Sequence, residues 1–310
     1  MDLTTRYMGL ELNCPLIASA SPLTSKLGNI LRLEEAGAGA VVLPSLFEEL
    51  IETDLEGAHM GAKPYVELVE KAAAVAGIPI IASLNGTSTE GWLTHARDLE
   101  KAGAAALELN IYFIPTDLDM SGEEVERRYL DIVRSVRERV KIPVAVKLGP
   151  YFSAFGNLAR RLADGGADAL VLFNRFYQPD IDIGSLRLEN DLRLSDRHEI
   201  RLPMLWISVL AGRVRSSLAA SSGVETSEEV IKYLLAGADV VMTTSALLRF
   251  GPGYLATLRD GLVAWMEAHG VDKVKAIRGH LSHLELGCCD PLFDRGNYLD
   301  ILNTRAREAG

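Results

Sequence analysis

The chain has 310 residues, of which 48% are hydrophobic, and its 32 basic and 42 acidic side chains give a net charge of −10. This length is enough to bury one large core, and α/β barrels often reach it as a single domain, so we expect one domain over residues 1–310. The acidic balance disfavours nucleic acid or an anionic membrane as a partner.

The sequence also argues against membrane insertion, secretion and metal binding. No run approaches the roughly 20 apolar residues that a membrane helix needs, and the start "MDLTTRYMGLELN" lacks the features of a signal peptide. We therefore expect a cytoplasmic protein. The cysteines are Cys14, Cys288 and Cys289, without C-x-x-C spacing, so no disulfide framework, zinc site or iron–sulfur site is predicted.

A repeat marks the first elements along the chain. The apolar runs "PLIASA", "PIIASL" and "PVAVKL" begin at Pro15, Pro79 and Pro143, at intervals of 64 residues. Because proline is tolerated at the first position of a strand, each run is predicted to start one. Between them, helices are predicted to end at Gly37, Gly103, Gly166 and Gly237, each followed by an aliphatic run such as "AVVL".

Four such repeats predict eight parallel strands that alternate with helices. Capping boxes predicted at Thr87 with Glu90, Ser121 with Glu124 and Thr226 with Glu229 support the helix starts. The fold class predicted is α/β, a (β/α)8 TIM barrel with a C-terminal helical extension; a doubly wound sheet would not explain the fourfold spacing. The predicted strands lie at 15–20, 39–45, 79–85, 106–111, 143–149, 169–174, 216–220 and 238–244.

A charged stretch, 175–201, interrupts the repeat after the sixth predicted strand. Its composition favours a solvated excursion. Its place directly beyond Asn174 makes a lid or a subunit contact an equal alternative.

Polar side chains follow the predicted strands at the end where barrel enzymes place their chemistry. They are mostly amides and hydroxyls with one cation, and carboxylates and histidines are almost absent. This set suits a planar, polar heterocycle better than a metal or a hydrolytic water, although loops make strand ends polar in any protein. The residues are Ser19, Ser21, Ser45, Asn85, Asn110, Lys147, Asn174, Ser221, Ser222, Thr244 and Ser245.

The last two strand ends, "AASSGVETSEEV" and "VVMTTSALLRFGP", favour a phosphate site. Small residues let backbone N–H groups approach an anion, and barrels often bind phosphate after strands seven and eight. The alternative is two ordinary turns of small residues.

Taken together, the motifs resemble the dihydroorotate dehydrogenase family, and the resemblance covers essentially the whole chain. The motifs are "CPLIASAS", "ELNIYFIP", "VKLGPYF", "LFNRF", "SLAASSGV", "TTSALLRFGP" and the C-terminal "DRGNYLDIL". The resemblance implies an FMN-containing barrel of pyrimidine biosynthesis, a homodimer, in which a pyrimidine stacks on the flavin and hydride passes to N5.

The same resemblance implies roles for particular residues. Ala18 and Ser19 would meet the flavin ring through their backbone, in a cofactor site that also includes Ser45 and Asn85. Asn110 and Asn174 would border flavin and substrate. Lys147 would lie at the N1/O2 edge and stabilise the anionic reduced flavin. The phosphate would be held by Ser222, Gly223, Thr244 and Ser245.

Two departures from the family pattern concern the substrate. Phe113 stands where the family carries a proton-accepting cysteine or serine, and phenylalanine cannot accept a proton. Pro44 replaces a lysine, and "EGAHMGAKPY" does not match the family's asparagine-rich loop. Tyr112 is a candidate substitute base, with Tyr151 and Tyr177 as comparable alternatives.

Three functions remain open from the sequence. The first is an FMN-dependent oxidoreductase acting on dihydroorotate or a similar small molecule, with an electron acceptor that the sequence does not indicate. The second is a flavin-binding electron-transfer protein without turnover of its own. The third is a Schiff-base lyase using Lys147, which would need a proton shuttle, and no carboxylate lies near Lys147 in the sequence.

Overall fold

Eight parallel strands close into a barrel in the computed structural model, which describes residues 1–51, 60–86, 89–176, 178–189 and 192–287. Every predicted strand overlaps one of them, so the predicted (β/α)8 barrel is confirmed. Each barrel strand lies beside the next barrel strand along the chain, and the last pairs with the first. Their bounds are β3 Leu16–Ala18, β4 Ala40–Phe47, β5 Ile80–Asn85, β6 Ala106–Asn110, β7 Val144–Leu148, β8 Ala169–Leu172, β11 Ser217–Ala220 and β12 Val240–Thr243.

Helices surround the barrel and begin and end at the predicted signals. Ser121 and Thr226 form complete capping boxes with Glu124 and Glu229; the box predicted at Thr87 lies partly outside the described residues. The four predicted glycine stops all have positive φ, between 93° and 121°. The helices are α1 Leu27–Glu35, α2 Ala62–Val75, α3 Thr89–Lys101, α4 Gly122–Arg137, α5 Phe155–Asp164, α6 Arg201–Leu210, α7 Ser227–Ala236, α8 Ser245–Phe250 and α9 Tyr254–Ala268.

The core has two layers because successive strand residues face opposite sides of the sheet. One set packs between the barrel and the helices, and includes Leu107, Val146 and Leu170. The other fills the barrel interior, with small and β-branched side chains such as Ile17, Val42, Ala145 and Val171. This parity decides which residues of each strand can reach the barrel axis.

An N-terminal hairpin, which the strand repeat did not predict, closes the amino end of the barrel. Its strands β1 (Thr5–Tyr7) and β2 (Leu10–Leu12) pair antiparallel. Tyr7 is fully buried in the interior layer. The Thr5 hydroxyl donates to the Asp239 carbonyl at 2.9 Å, and the Met8 N–H donates to Ser217 Oγ at 3.1 Å, which ties the hairpin to β11 and to the residue before β12.

The predicted insertion after the sixth barrel strand is present. It forms an exposed hairpin of β9 (Asp180–Asp182) and β10 (Arg187–Glu189), and residues 192–200 then return to the barrel before α6. At the other end of the chain, the short helices α10 (Val274–Ile277) and α11 (His283–Leu286) follow α9. The motif "DRGNYLDIL" and both C-terminal cysteines lie outside the described residues. Within the described part of the chain, no helix has the length and apolar character needed to span a bilayer.

Candidate active site

Three of the predicted site residues lie side by side at the carboxyl end of the barrel. Asn85, Asn110 and Lys147 occupy neighbouring strands and pair in register across β5, β6 and β7. The row arises because Asn85 and Asn110 end their strands and Lys147 is one residue from the end of its own, all at inward-facing positions. Their functional groups therefore meet at one end of the barrel, as the sequence predicted.

A fourth residue joins this row through a hydrogen bond between two amides. Asn174 follows β8, and its Nδ2 donates to Oδ1 of Asn110 at 2.6 Å. Asn110 is buried, whereas Asn174 is half-buried beside a cavity. The bond fixes the two amides relative to each other, and it links Asn110, which does not line the cavity, to Asn174, which does.

A carboxylate lies next to the lysine, contrary to the expectation from the sequence. Glu108 Oε1 is 3.9 Å from Lys147 Nζ, with the two side chains 1% and 11% exposed. Burial raises the pKa of Glu108, and the Lys147 charge lowers it. Strand ends alone did not indicate this residue; strand parity does, because Glu108 precedes Asn110 by two positions and so faces inward with it.

The cavity beside these residues measures about 290 Å³, close to the lower end of the roughly 300–1,000 Å³ usual for ligand sites. Three cations line it, Lys147, Arg175 and Arg193. Each is paired with a carboxylate, of Glu108, Glu199 and Asp180 respectively. Neither arginine was a predicted site residue. Of the predicted residues, those that line the cavity are Ser19, Ser21, Lys147, Asn174, Ser221, Ser222, Gly223, Thr244 and Ser245.

Other predicted residues lie elsewhere. Ala18 packs in the layer between barrel and helices, and the Ser19 N–H donates to the Thr243 carbonyl at 3.0 Å, so that group serves strand pairing. Ser45 Oγ is 2.8 Å from Ser83 Oγ. Neither Ala18 nor Ser45 lines the cavity.

The predicted phosphate site, which consists of residues 222–223 and 244–245 and is called the cradle below, is closed by a residue that the sequence did not reveal. Ser195, buried at the end of the insertion, accepts a hydrogen bond from the Gly223 N–H at 3.2 Å, and its Oγ is 2.8 Å from Ser245 Oγ. One hydroxyl thus satisfies two groups of the cradle. Arg249 donates to the Ser195 carbonyl at 3.1 Å and holds the segment there.

The helix termini contribute less to the cradle than expected. The N-terminus of α7 is already capped by its own Thr226 and Glu229 side chains, whose oxygens accept its first N–H groups. Ser222 has a φ of 84°, and its hydroxyl donates to the Phe173 carbonyl at 3.1 Å. The N-terminus of α8, in contrast, has no side-chain cap. The Gly223 N–H and the Ser245 hydroxyl are further donors of the cradle.

The candidate bases that the structure describes do not line the cavity. Tyr112 packs edge-on against Phe176 with ring centroids 4.7 Å apart, and the Phe113 ring lies 4.1 Å from the Arg128 guanidinium carbon. Tyr151 is exposed, and Tyr177 lies outside the described residues. None of Tyr112, Phe113 and Tyr151 lines the cavity.

A larger cavity, of about 1,110 Å³, opens at the amino end of the barrel. Its charges compensate one another: Arg278 pairs with Asp239, and Arg137 lies 3.7 Å from Asp168. Both carboxylates also accept backbone hydrogen bonds from barrel strands. Barrel enzymes act at the carboxyl end, where the asparagines and Lys147 converge, so we assign the candidate site to the smaller cavity.

We expect Gly223→Ala to impair the cradle. Gly223 has a φ of 74°, and an added Cβ would lie 2.7 Å from Ile200 Cγ2 and 2.8 Å from the Asp196 carbonyl oxygen. The backbone conformation alone costs about 1–2 kcal/mol, and the clash adds about 1–3 kcal/mol. Urea denaturation measures the sum.

Gly270→Ala is the matched control, because Gly270 has a φ of 65° and open space around its Cβ position. Its loss of stability should be limited to the backbone cost, about 1–2 kcal/mol. Equal losses for the two variants would mean that residues 196–200 do not press on Gly223.

Among the described residues, no three histidine, cysteine, aspartate or glutamate side chains converge to hold a metal ion. Comparison with known proteins identifies the class of site instead. A family model described as dihydroorotate dehydrogenase matches residues 57–266, more than half of the chain.

Individual relatives agree with the family model. The catalytic subunit of dihydroorotate dehydrogenase B (NAD(+)) from Methanothermobacter thermautotrophicus is 26% identical over 301 residues, covering 91% of this chain and 98% of the relative. The same subunit from Geotalea uraniireducens is 24% identical over 303 residues, covering 90% and 98%. A protein of Aeropyrum pernix assigned by name to dihydroorotate dehydrogenase A (fumarate) is 27% identical over 229 residues, covering 72% and 74%. The chain belongs to the dihydroorotate dehydrogenase family.

Proposed function

We propose that this chain is an FMN-dependent oxidoreductase that moves hydride between flavin N5 and a dihydropyrimidine or similar small substrate. The observation that carries the proposal is the cavity where Lys147, Asn174 and the cradle residues Gly223 and Ser245 meet. Membership of the family supports the class of reaction. We include a homodimer in the proposal, to be checked by light scattering.

The residues present fit FMN. The Gly223 N–H and the Ser245 hydroxyl both meet one small polar group, Ser195 Oγ, so they can converge on a phosphate oxygen. Arg175 and Arg193 line the same cavity, each paired with a carboxylate, of Glu199 and Asp180 respectively. When bound, FMN would supply the group that accepts or donates hydride.

The chain's own residues would then act at the flavin and the substrate. Lys147 would present its ammonium at the N1/O2 edge, where low exposure strengthens its electrostatic effect. Asn110 and Asn174, already hydrogen-bonded to each other, would orient the polar edges of the substrate ring. Each acts by position and charge, without forming a covalent bond.

The proton that leaves with the hydride has no evident acceptor at the family position, which Phe113 occupies. The Phe113 ring packs on Arg128, outside the cavity. Membership of the family makes dihydroorotate the first substrate to test. Because the family's proton acceptor is missing, we keep related dihydropyrimidines in the proposal.

The visible spectrum of the purified protein tests the cofactor. We expect a flavin band, and heat release should yield FMN. Apoprotein should take up FMN far better than riboflavin, because riboflavin lacks the phosphate. A colourless protein that takes up neither compound would reject the proposal.

Anaerobic stopped flow tests the substrate. Dihydroorotate should bleach the flavin band, and related dihydropyrimidines are the comparison compounds. Failure of dihydroorotate at any practical concentration would reject that substrate while leaving the cofactor assignment intact. Reduction by a partner protein alone would favour the second candidate, an electron-transfer flavoprotein, which Phe113 also supports.

Glu108 supports a third candidate, Schiff-base chemistry at Lys147. A carboxylate 3.9 Å from the lysine supplies the proton shuttle that the sequence lacked. Borohydride reduction with a panel of aldehydes and ketones should label Lys147 if this chemistry occurs. If labelling of the wild type does not exceed that of Lys147→Met, the Schiff-base candidate is rejected.

A further inference from the structure

Glu108 is a carboxyl group buried in the barrel interior. Its side chain is 1% exposed, and among the described residues neither carboxyl oxygen has a hydrogen-bond donor. Buried carboxylates normally accept several hydrogen bonds, because removing them from water is unfavourable. A carboxylate placed here without them calls for a specific partner.

The surroundings of Glu108 leave it space but little solvation. On the neighbouring strands it stands opposite Ser83 and Ala145, both small residues. Tyr7 and Tyr65 are the other titratable groups whose charge would interact with it. Burial raises the pKa of both phenols above the ordinary value, so both remain neutral.

Lys147 is the group that stabilises a negative charge on Glu108. The ion pair joins the inner layer of the barrel to the row of site residues above it, one strand away. At 3.9 Å the contact is electrostatic, longer than a direct hydrogen bond. In a site with little water, such a pair interacts more strongly than the same pair at the surface.

We propose that Glu108 is the positioning residue for Lys147. Its carboxylate holds the ammonium at the floor of the active site and offsets part of the positive charge that the cofactor meets. The link between the two residues stands on geometry alone, whereas the effect on the cofactor rests on the proposed FMN site.

The first test uses protein without cofactor. In Lys147→Met, Glu108 is left buried without a cation and should be protonated at pH 7. Infrared spectra of protein labelled with ¹³C-glutamate should then show more protonated carboxyl absorption than wild type. The double variant Glu108→Gln/Lys147→Met should lose that absorption.

Tyr7→Phe is the matched control, because it removes a buried hydroxyl with no donor or acceptor partner among the described residues and changes no charge. Its spectrum should equal that of wild type. A Lys147→Met spectrum without the added absorption, or absorption that persists in the double variant, would overturn the proposal.

The second test uses protein loaded with FMN. Glu108→Gln removes a negative charge beside Lys147 and should favour the anionic reduced cofactor. We expect reduced FMN to gain at least tenfold in affinity relative to oxidised FMN, which is about 30 mV more positive for a two-electron couple. Tyr7→Phe should not change the potential.

An unchanged or more negative potential in Glu108→Gln would overturn the proposed effect on the cofactor. The two tests distinguish failure of the proposed FMN site from failure of the proposed coupling between Glu108 and Lys147. Failure of every variant to bind FMN would reject the proposed function, whereas the infrared result would still decide whether Glu108 and Lys147 are coupled.

Discussion

Replacing Lys147 by methionine should destabilise the protein by about 3–5 kcal/mol at neutral pH, the usual result of removing one partner of a buried ion pair. Glu108 would then have no compensating charge and would have to take up a proton to stay in the barrel interior, which costs stability at neutral pH. Methionine keeps the length and most of the volume of the lysine, so lost packing contributes little. Urea denaturation with a shared m-value measures the change.

The loss of stability in Lys147→Met should grow as pH rises. The pKa of Glu108 is raised above its ordinary value in the folded protein, because burial outweighs the lowering effect of Lys147. The folded state therefore binds a proton more tightly than the unfolded state, and stability falls as pH rises from the unfolded pKa, near 4.5, through the folded pKa. Lys147→Met removes the lowering effect and should extend that fall to higher pH.

A double-mutant cycle isolates the pair. In a Glu108→Gln background, Lys147→Met should cost much less than in the wild type, because no carboxylate remains to be left unpaired. Lys71→Met is the surface control; Lys71 pairs with Glu67 in solvent, and its loss should change stability little. Equal costs of Lys147→Met in both backgrounds would show that the two residues are not coupled.

Phe113→Cys should raise the rate at which dihydroorotate reduces the bound flavin by more than tenfold only if the side chain at position 113, which packs on Arg128 outside the cavity, turns toward the substrate when it binds. The variant supplies a proton acceptor at the family position, and general-base catalysis contributes roughly 10²–10⁴-fold in enzymes. Anaerobic stopped flow at several pH values measures the rate, which should rise as the thiol ionises.

Phe113→Ala separates chemistry from shape. Both variants remove the ring that packs on Arg128, but alanine provides no base. A gain with cysteine alone would identify the missing proton acceptor as the defect. No gain with cysteine would place the defect among the other substrate-binding residues, and an equal gain with alanine would show that the ring itself obstructs the substrate.

The barrel could be predicted because the signals that begin its strands and end its helices are local. Proline before a strand and glycine after a helix each act through the backbone of one residue, so Pro79 and Gly103 mark their elements whatever surrounds them. Strand ends follow directly, and with them the convergence of Asn110, Lys147 and Asn174.

The rest of the site depends on contacts between distant segments, which no local pattern encodes. Ser195 lies in a stretch whose charge indicates solvent, yet it is buried against Ser245, 50 residues away. Glu108 has a local signal, inward parity with Asn110, but its pairing with Lys147 depends on which strand lies alongside. The hairpin at Thr5–Leu12 falls outside the repeat and so was missed.

That hairpin bears on the order in which the molecule can assemble. The hairpin's hydrogen bonds reach Ser217 and Asp239, across separations of 209 and 234 residues. Strand β3 likewise pairs with β12. We therefore expect the floor of the barrel to form late, after most of the chain has left the ribosome, and folding to be slow because its decisive contacts are so far apart in sequence.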